Sequence, residues 1–156
     1  MLITSFAITA VGQINDNSIR KQVLKGYKVD SVFVFGRWTI NGGTETHLKY
    51  LGQVTTSKRQ IFKIMNSCFF CGLSRRATSQ ILIFNGKNQY VGNYHLWTTY
   101  DLPDKLENGV LIFRNTDKEE CDKSIVIKVD LTKGLPKHIF LRCEEENGYL
   151  YSFSTE

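Results

Sequence analysis

Proline is nearly missing: Pro103 and Pro136 are the two in 156 residues, which excludes a proline-rich linker. No run approaches the ~20 apolar residues that a membrane-crossing helix requires. Neither G-x-x-x-x-G-K-[ST] nor G-x-G-x-x-G occurs, so nucleotide-phosphate chemistry has no foothold. The three histidines, His47, His95 and His138, stand in no H-x-H or H-E-x-x-H spacing, and the D-x-D-x-D-G pattern of a calcium loop is missing. No metal and no cofactor is expected. Glu144-Glu145-Glu146 is a charged turn whose adjacent side chains diverge into solvent. No serine, histidine and acid spacing singles out a nucleophilic triad. The chain therefore reads as a binding domain more readily than as an enzyme.

Aromatic residues are plentiful, with ten Phe, seven Tyr and two Trp, and they favour pleated, half-buried surfaces. A helix is predicted once, between Gln13 and Asp30. Asn17 or Ser18 would cap it, Ile19, Val23 and Leu24 would form its apolar stripe, and Gly26 would end it. After Asp30 the period changes to two. Strands are predicted over Ser31–Ile40, Thr46–Thr55, Gln60–Asn66, Ser79–Asn85, Gln89–Trp97, Val110–Arg114, Ser124–Leu131 and His138–Cys143, with a last one carrying Tyr149, Tyr151 and Phe153 on one face. Gly92 inside its strand marks a bulge or a close backbone approach. Residues 100–108 break the pattern. The sum is a mostly β chain: a single antiparallel β-sandwich or barrel of about nine strands, with at most one short N-terminal helix.

Residues 1–12 are uncharged and mildly apolar, and they end in small residues, with Ala10 and Gly12 in small-x-small spacing before Gln13. They read as a signal-peptide remnant, leaving 13–156 as one β domain that is periplasmic or secreted. If residues 1–12 are instead a first strand, the domain is cytoplasmic. The net charge of +5 permits weak attraction to polyanions, including anionic lipid head groups. The basic residues are scattered, however, the densest pairs being Lys58-Arg59 and Arg75-Arg76, so nucleic acid is not an expected partner.

Four cysteines carry the sharpest chemical options. Cys68-Phe-Phe-Cys71 has redox spacing, and Arg75 and Arg76 are close in sequence, but no βαβ unit or following helix accompanies it. Cys68 and Cys71 are thus the redox candidates of an alternative, thiol-active reading; a basic polyanion-binding module is a third. Cys121 and Cys143 form a candidate disulfide, one just before a strand and the other at the end of a later one. The candidate ligand contacts are Trp38, Tyr94, His95 and Trp97, aromatic or flanked by aromatics on strands; period-two core packing accounts for the same residues. A closed barrel would suit a small apolar ligand, and a sandwich would suit a protein or a glycan.

The runs Gly52–Asn66, Gly72–Asn85 and Tyr90-Val-Gly-Asn-Tyr94, with the leader ending in Val-Gly-Gln13, are similar to small uncharacterised secreted proteins of Bacteroidota-type bacteria. The resemblance spans most of the chain. It implies export and carries no activity and no functional residue with it.

Overall fold

The computed structural model describes residues 16–26 and 28–156. The expected signal remnant at 1–12 lies outside them, as does the predicted helix start at Gln13. Helix α1 spans Asp16–Gly26. Asn17 and Ser18 fall inside its first turn rather than at its cap. The stripe of Ile19, Val23 and Leu24 is buried as expected.

Ten strands follow: β1 (Val32–Gly36), β2 (Glu45–Thr55), β3 (Ile61–Cys71), β4 (Arg76–Asn85), β5 (Tyr90–Leu96), β6 (Lys105–Glu107), β7 (Val110–Arg114), β8 (Val126–Asp130), β9 (His138–Arg142) and β10 (Gly148–Ser154). They make a seven-stranded sheet in the order β1-β2-β3-β4-β5-β10-β9 and a three-stranded sheet β6-β7-β8. All pairings are antiparallel. Among the described residues β1 and β9 are the open edges of the larger sheet, so there is no closed barrel.

Three boundaries differ from the sequence pattern. β1 stops at Gly36, short of Ile40, because Gly36 at φ 74° turns the chain out of the sheet. β3 and β4 run past their expected ends at Asn66 and Ser79 to form one long hairpin. β6 lies within the stretch that broke the alternation; its three residues are too few to show a period.

The larger sheet has a core on each face. On one face Leu51, Val54, Ile64, Ile81, Ile83, Tyr94 and Leu96 meet Leu111, Phe113 and Leu131 of the smaller sheet and its flank, while Ile139, Leu141 and Tyr151 extend the layer. On the other face Leu48, Tyr50, Met65, Leu82 and Phe84 take the stripe of α1, with Phe33 and Phe35 packed at the side. Burying aliphatic side chains of this size contributes roughly 1.5–3 kcal/mol each. The two cores share β2: Leu51 faces away from Tyr50 by ordinary alternation, and the register shift between Tyr50 and Gly52 then inverts the parity, so that Val54 joins Leu51 on the same face.

Gly92 meets both expectations placed on it. Register slips opposite it, between Ile83 and Phe84. A Cβ there would also stand 2.4 Å from the Phe153 ring and from the Ser154 carbonyl oxygen, where β5 and β10 meet.

Candidate functional site

On the face that carries α1, three strands change character along their length. β2 reads Leu48 and Tyr50 at one end and Thr46 at the other. β3 reads Met65, then Ser67. β4 reads Phe84 and Leu82, then Gln80 and Thr78. The register sets these side by side: Thr46 opposite Phe69, Phe69 opposite Thr78, Ser67 opposite Gln80. The apolar half binds the helix. The polar half is left as a groove of about 170 Å³ lined by Arg20, Thr46, Ser67, Phe69, Thr78 and Gln80. One guanidinium, three hydroxyls, one carboxamide and one phenyl ring therefore face a common space, and none of the lining residues is an acid. His95, across from Gln80 in the next strand, extends this face and is exposed. Gln80 donates to the Asn93 carboxamide oxygen at 3.5 Å.

Of the four expected ligand contacts, His95 alone adjoins this groove. Tyr94 points the opposite way and is 0% exposed. Its hydroxyl donates to the Pro136 carbonyl at 2.6 Å, and burial pushes its pKa well up. Tyr94 is core, because adjacent residues of a strand face opposite sides. Trp97 lies just beyond β5 and is 70% exposed. Its ring rests on Tyr149 at 5.3 Å and Tyr151 at 6.3 Å between centroids.

Beneath that aromatic group is a buried ion pair that no motif announced. Asp101, in a single 3-10 turn (Thr99–Asp101), binds Lys118, and the two side chains are 3% and 5% exposed. The second carboxylate oxygen accepts from the Thr98 amide at 3.1 Å, the Thr98 hydroxyl at 3.0 Å and the Tyr151 hydroxyl at 2.8 Å. Burial first, then Asp101, pushes the Tyr151 phenol far above its ordinary range. The network fastens the 115–123 loop to β10.

Trp38 lies in a third place, the β1–β2 connection. Its indole N–H donates to the Gly72 carbonyl at 2.7 Å, across to the β3–β4 turn. From that turn the Arg75 guanidinium lies 5.5 Å over the Trp38 ring and 4.8 Å over Phe70. Arg75 also reaches Glu45 at 3.4 Å, and His47 Nε2 meets the same carboxylate oxygen at 2.6 Å. The His47 hydrogen bond, followed by that of the Trp38 amide, holds the Glu45 carboxyl below its ordinary 4.5.

The two redox candidates do not assemble a dithiol. Cys68 and Cys71 are both free, and both lie on β3 three residues apart, so they sit on opposite faces of the sheet. Burial pushes the Cys68 thiol up, with the Ser79 hydroxyl opposing more weakly. A reactive cysteine needs the reverse shift. The other two cysteines do pair: Cys121 and Cys143 are disulfide-bonded, with Cα atoms 4.6 Å apart. Asn115 braces the same loop by donating to the Asp122 and Arg142 carbonyls at 3.2 and 2.9 Å.

No sequence motif marks the groove residues Thr46, Ser67, Thr78 and Gln80. Their signal was the switch from apolar to polar on every second residue of three strands, which becomes a site only when the strands are neighbours. No helix among the described residues is long and apolar enough to cross a membrane. No protein family, curated protein or solved structure matches the chain.

Proposed function

We propose that this chain is an exported, non-enzymatic binding domain of the cell envelope that holds a glycan unit in the groove between α1 and β2–β4. The observation that carries the reading is the groove's lining. Thr46, Ser67, Thr78 and Gln80 supply hydroxyl and carboxamide groups for sugar hydroxyls, and Phe69 supplies a ring for a sugar's C–H face. At about 170 Å³ the space suits one or two sugar rings rather than a large cofactor, for which pockets run to roughly 300–1,000 Å³. The open, packed sandwich offers no barrel lumen for a small apolar ligand. Export is supported by the Cys121–Cys143 disulfide, a bond that persists in oxidising compartments.

The test is titration of the full chain with neutral and uronic-acid-bearing oligosaccharides, followed by amide NMR. Shifts should concentrate at Phe69, Thr78, Gln80 and His95. Gln80→Ala should weaken binding roughly five- to tenfold, the worth of one well-made hydrogen bond. Shifts confined to other surfaces, or binding untouched by Gln80→Ala, would remove the groove from the function.

A further inference from the structure

The two most exposed large aliphatic side chains of the described residues are Leu73 at 77% and Ile40 at 74%. Each projects from a hairpin tip, Ile40 from residues 37–44 between β1 and β2 and Leu73 from residues 72–75 between β3 and β4. Because Glu45 pairs with Phe70 across β2 and β3, the tips stand next to one another at one end of the sheet. They are also fastened together. Trp38 of one tip donates to the Gly72 carbonyl of the other at 2.7 Å, and Arg75 of the second spans back to Glu45 at the base of the first at 3.4 Å. Thr39 and Gly42 exchange two backbone hydrogen bonds of 3.0 Å within the first tip. Two aliphatic chains are thus held out into solvent at fixed positions, which uncompensated exposure alone does not explain.

The charge around them has one sign. Residues 37–44 and 71–76 contain Arg37, Arg75 and Arg76 and no acid. Glu45, at the base, is already occupied by His47 and Arg75. The acidic turn Glu144-Glu145-Glu146 joins β9 to β10 at this same end of the sheet, but three strand spacings, about 14 Å, from the β3–β4 tip. The molecule therefore has one basic corner with apolar points, set apart from the acidic turn by more than the ~8 Å screening length of physiological salt.

We propose that this corner docks on an anionic lipid surface, Ile40 and Leu73 entering the head-group region while Arg37 and Arg76 meet lipid phosphates and carboxylates. Two separate projecting chains suit a yielding lipid interface, whereas a protein partner would need a pocket matched to each. Apolar insertion and basic charge are the two terms from which peripheral membrane binding is built. Each arginine near such a surface strengthens partition about fivefold. The proposal does not depend on the glycan reading of the groove, which lies on the sheet face rather than at these tips.

Flotation of the full-length chain with vesicles tests it, using phosphatidylcholine alone and phosphatidylcholine mixed with phosphatidylserine. The chain should float with the anionic vesicles only, and less as salt is raised. Ile40→Asp with Leu73→Asp should abolish flotation. Arg37→Glu with Arg76→Glu should reduce it more than twentyfold, two charges' worth, and Leu150→Asp, on another exposed surface, should leave it unchanged. Circular dichroism confirms that each variant is folded. The proposal is overturned by failure of the wild type to float, by equal flotation with neutral vesicles, or by tip variants that bind as wild type. It is equally overturned by sedimentation showing that Ile40 and Leu73 hold two copies of the chain together.

Discussion

Replacing Lys118 with Met should destabilise the protein more than any other single change at a polar side chain. The ammonium is 5% exposed and its partner carboxylate on Asp101 is 3% exposed, so neither has water to fall back on. Lys118→Met preserves most of the packed volume and leaves Asp101 accepting from Thr98 and Tyr151 with no counter-charge. Removing one member of a buried pair costs about 3–5 kcal/mol. With a urea slope of about 2 kcal/mol/M, the unfolding midpoint should fall by ~2 M. Asp101→Asn, which keeps the shape and strands the ammonium instead, should cost a similar amount. The double variant should be little worse than either single one, giving a coupling energy of at least ~2 kcal/mol. Equilibrium urea unfolding followed by tryptophan fluorescence measures all four corners of the cycle. Single losses below ~1 kcal/mol, or strictly additive ones, would refute the claim that the 115–123 loop is held by a desolvated charge pair.

Replacing Cys121 and Cys143 together with Ser opens a loop with a sequence separation of 22 and should cost roughly 3 kcal/mol, chiefly through the entropy of the unfolded chain. Reduction of the wild type should lower the urea midpoint by the same amount, and a reduced protein as stable as the oxidised one would contradict this. The carboxyls of Asp122, Asp130 and Glu45 are held below their ordinary 3.8 and 4.5, the aspartates by the side chains and backbone of Ser124 and Thr132 and Glu45 by His47. Groups depressed in the fold stabilise it above their unfolded pKa, so stability should hold from neutral pH down to that range and decline as the pH drops through the lowered folded values. Urea midpoints measured across acid pH check it, and a midpoint that rises on acidification would show the sign to be wrong.

The groove and the basic tips occupy different parts of one sheet, and the hairpin of β3 and β4 serves both. Its even-numbered β4 residues, Thr78 and Gln80, line the groove, while Leu73 and Arg76 sit at its tip. A glycan held on the sheet face and a lipid surface under the tips could be engaged by one molecule at once. The two experiments above test the two surfaces separately.

Much of the architecture was legible from local rhythm. Ile125, Ile127, Val129 and Leu131 lie on the inner side because a strand alternates every second residue, and Lys128 and Asp130 are exposed for the same reason. Gly92 announced the close approach of β10, because a side chain there has no room beside Phe153 and Ser154. The apolar stripe of α1 was visible at helical spacing. Local rhythm does not say which strands become neighbours, and the site depends on that alone. Thr46, Ser67 and Gln80 are separated by long stretches of chain, and each looks like an ordinary polar strand residue until β2, β3 and β4 pair. Lys118 and Asp101 carry no pattern at all, since an ion pair depends on distance in space. The C-x-x-C spacing suggested chemistry that the pleat then separated, placing Cys68 and Cys71 on opposite faces. Sequence alone determined which residues could lie inside a sheet; pairing across long loops, which sets who faces whom, belonged to the tertiary structure.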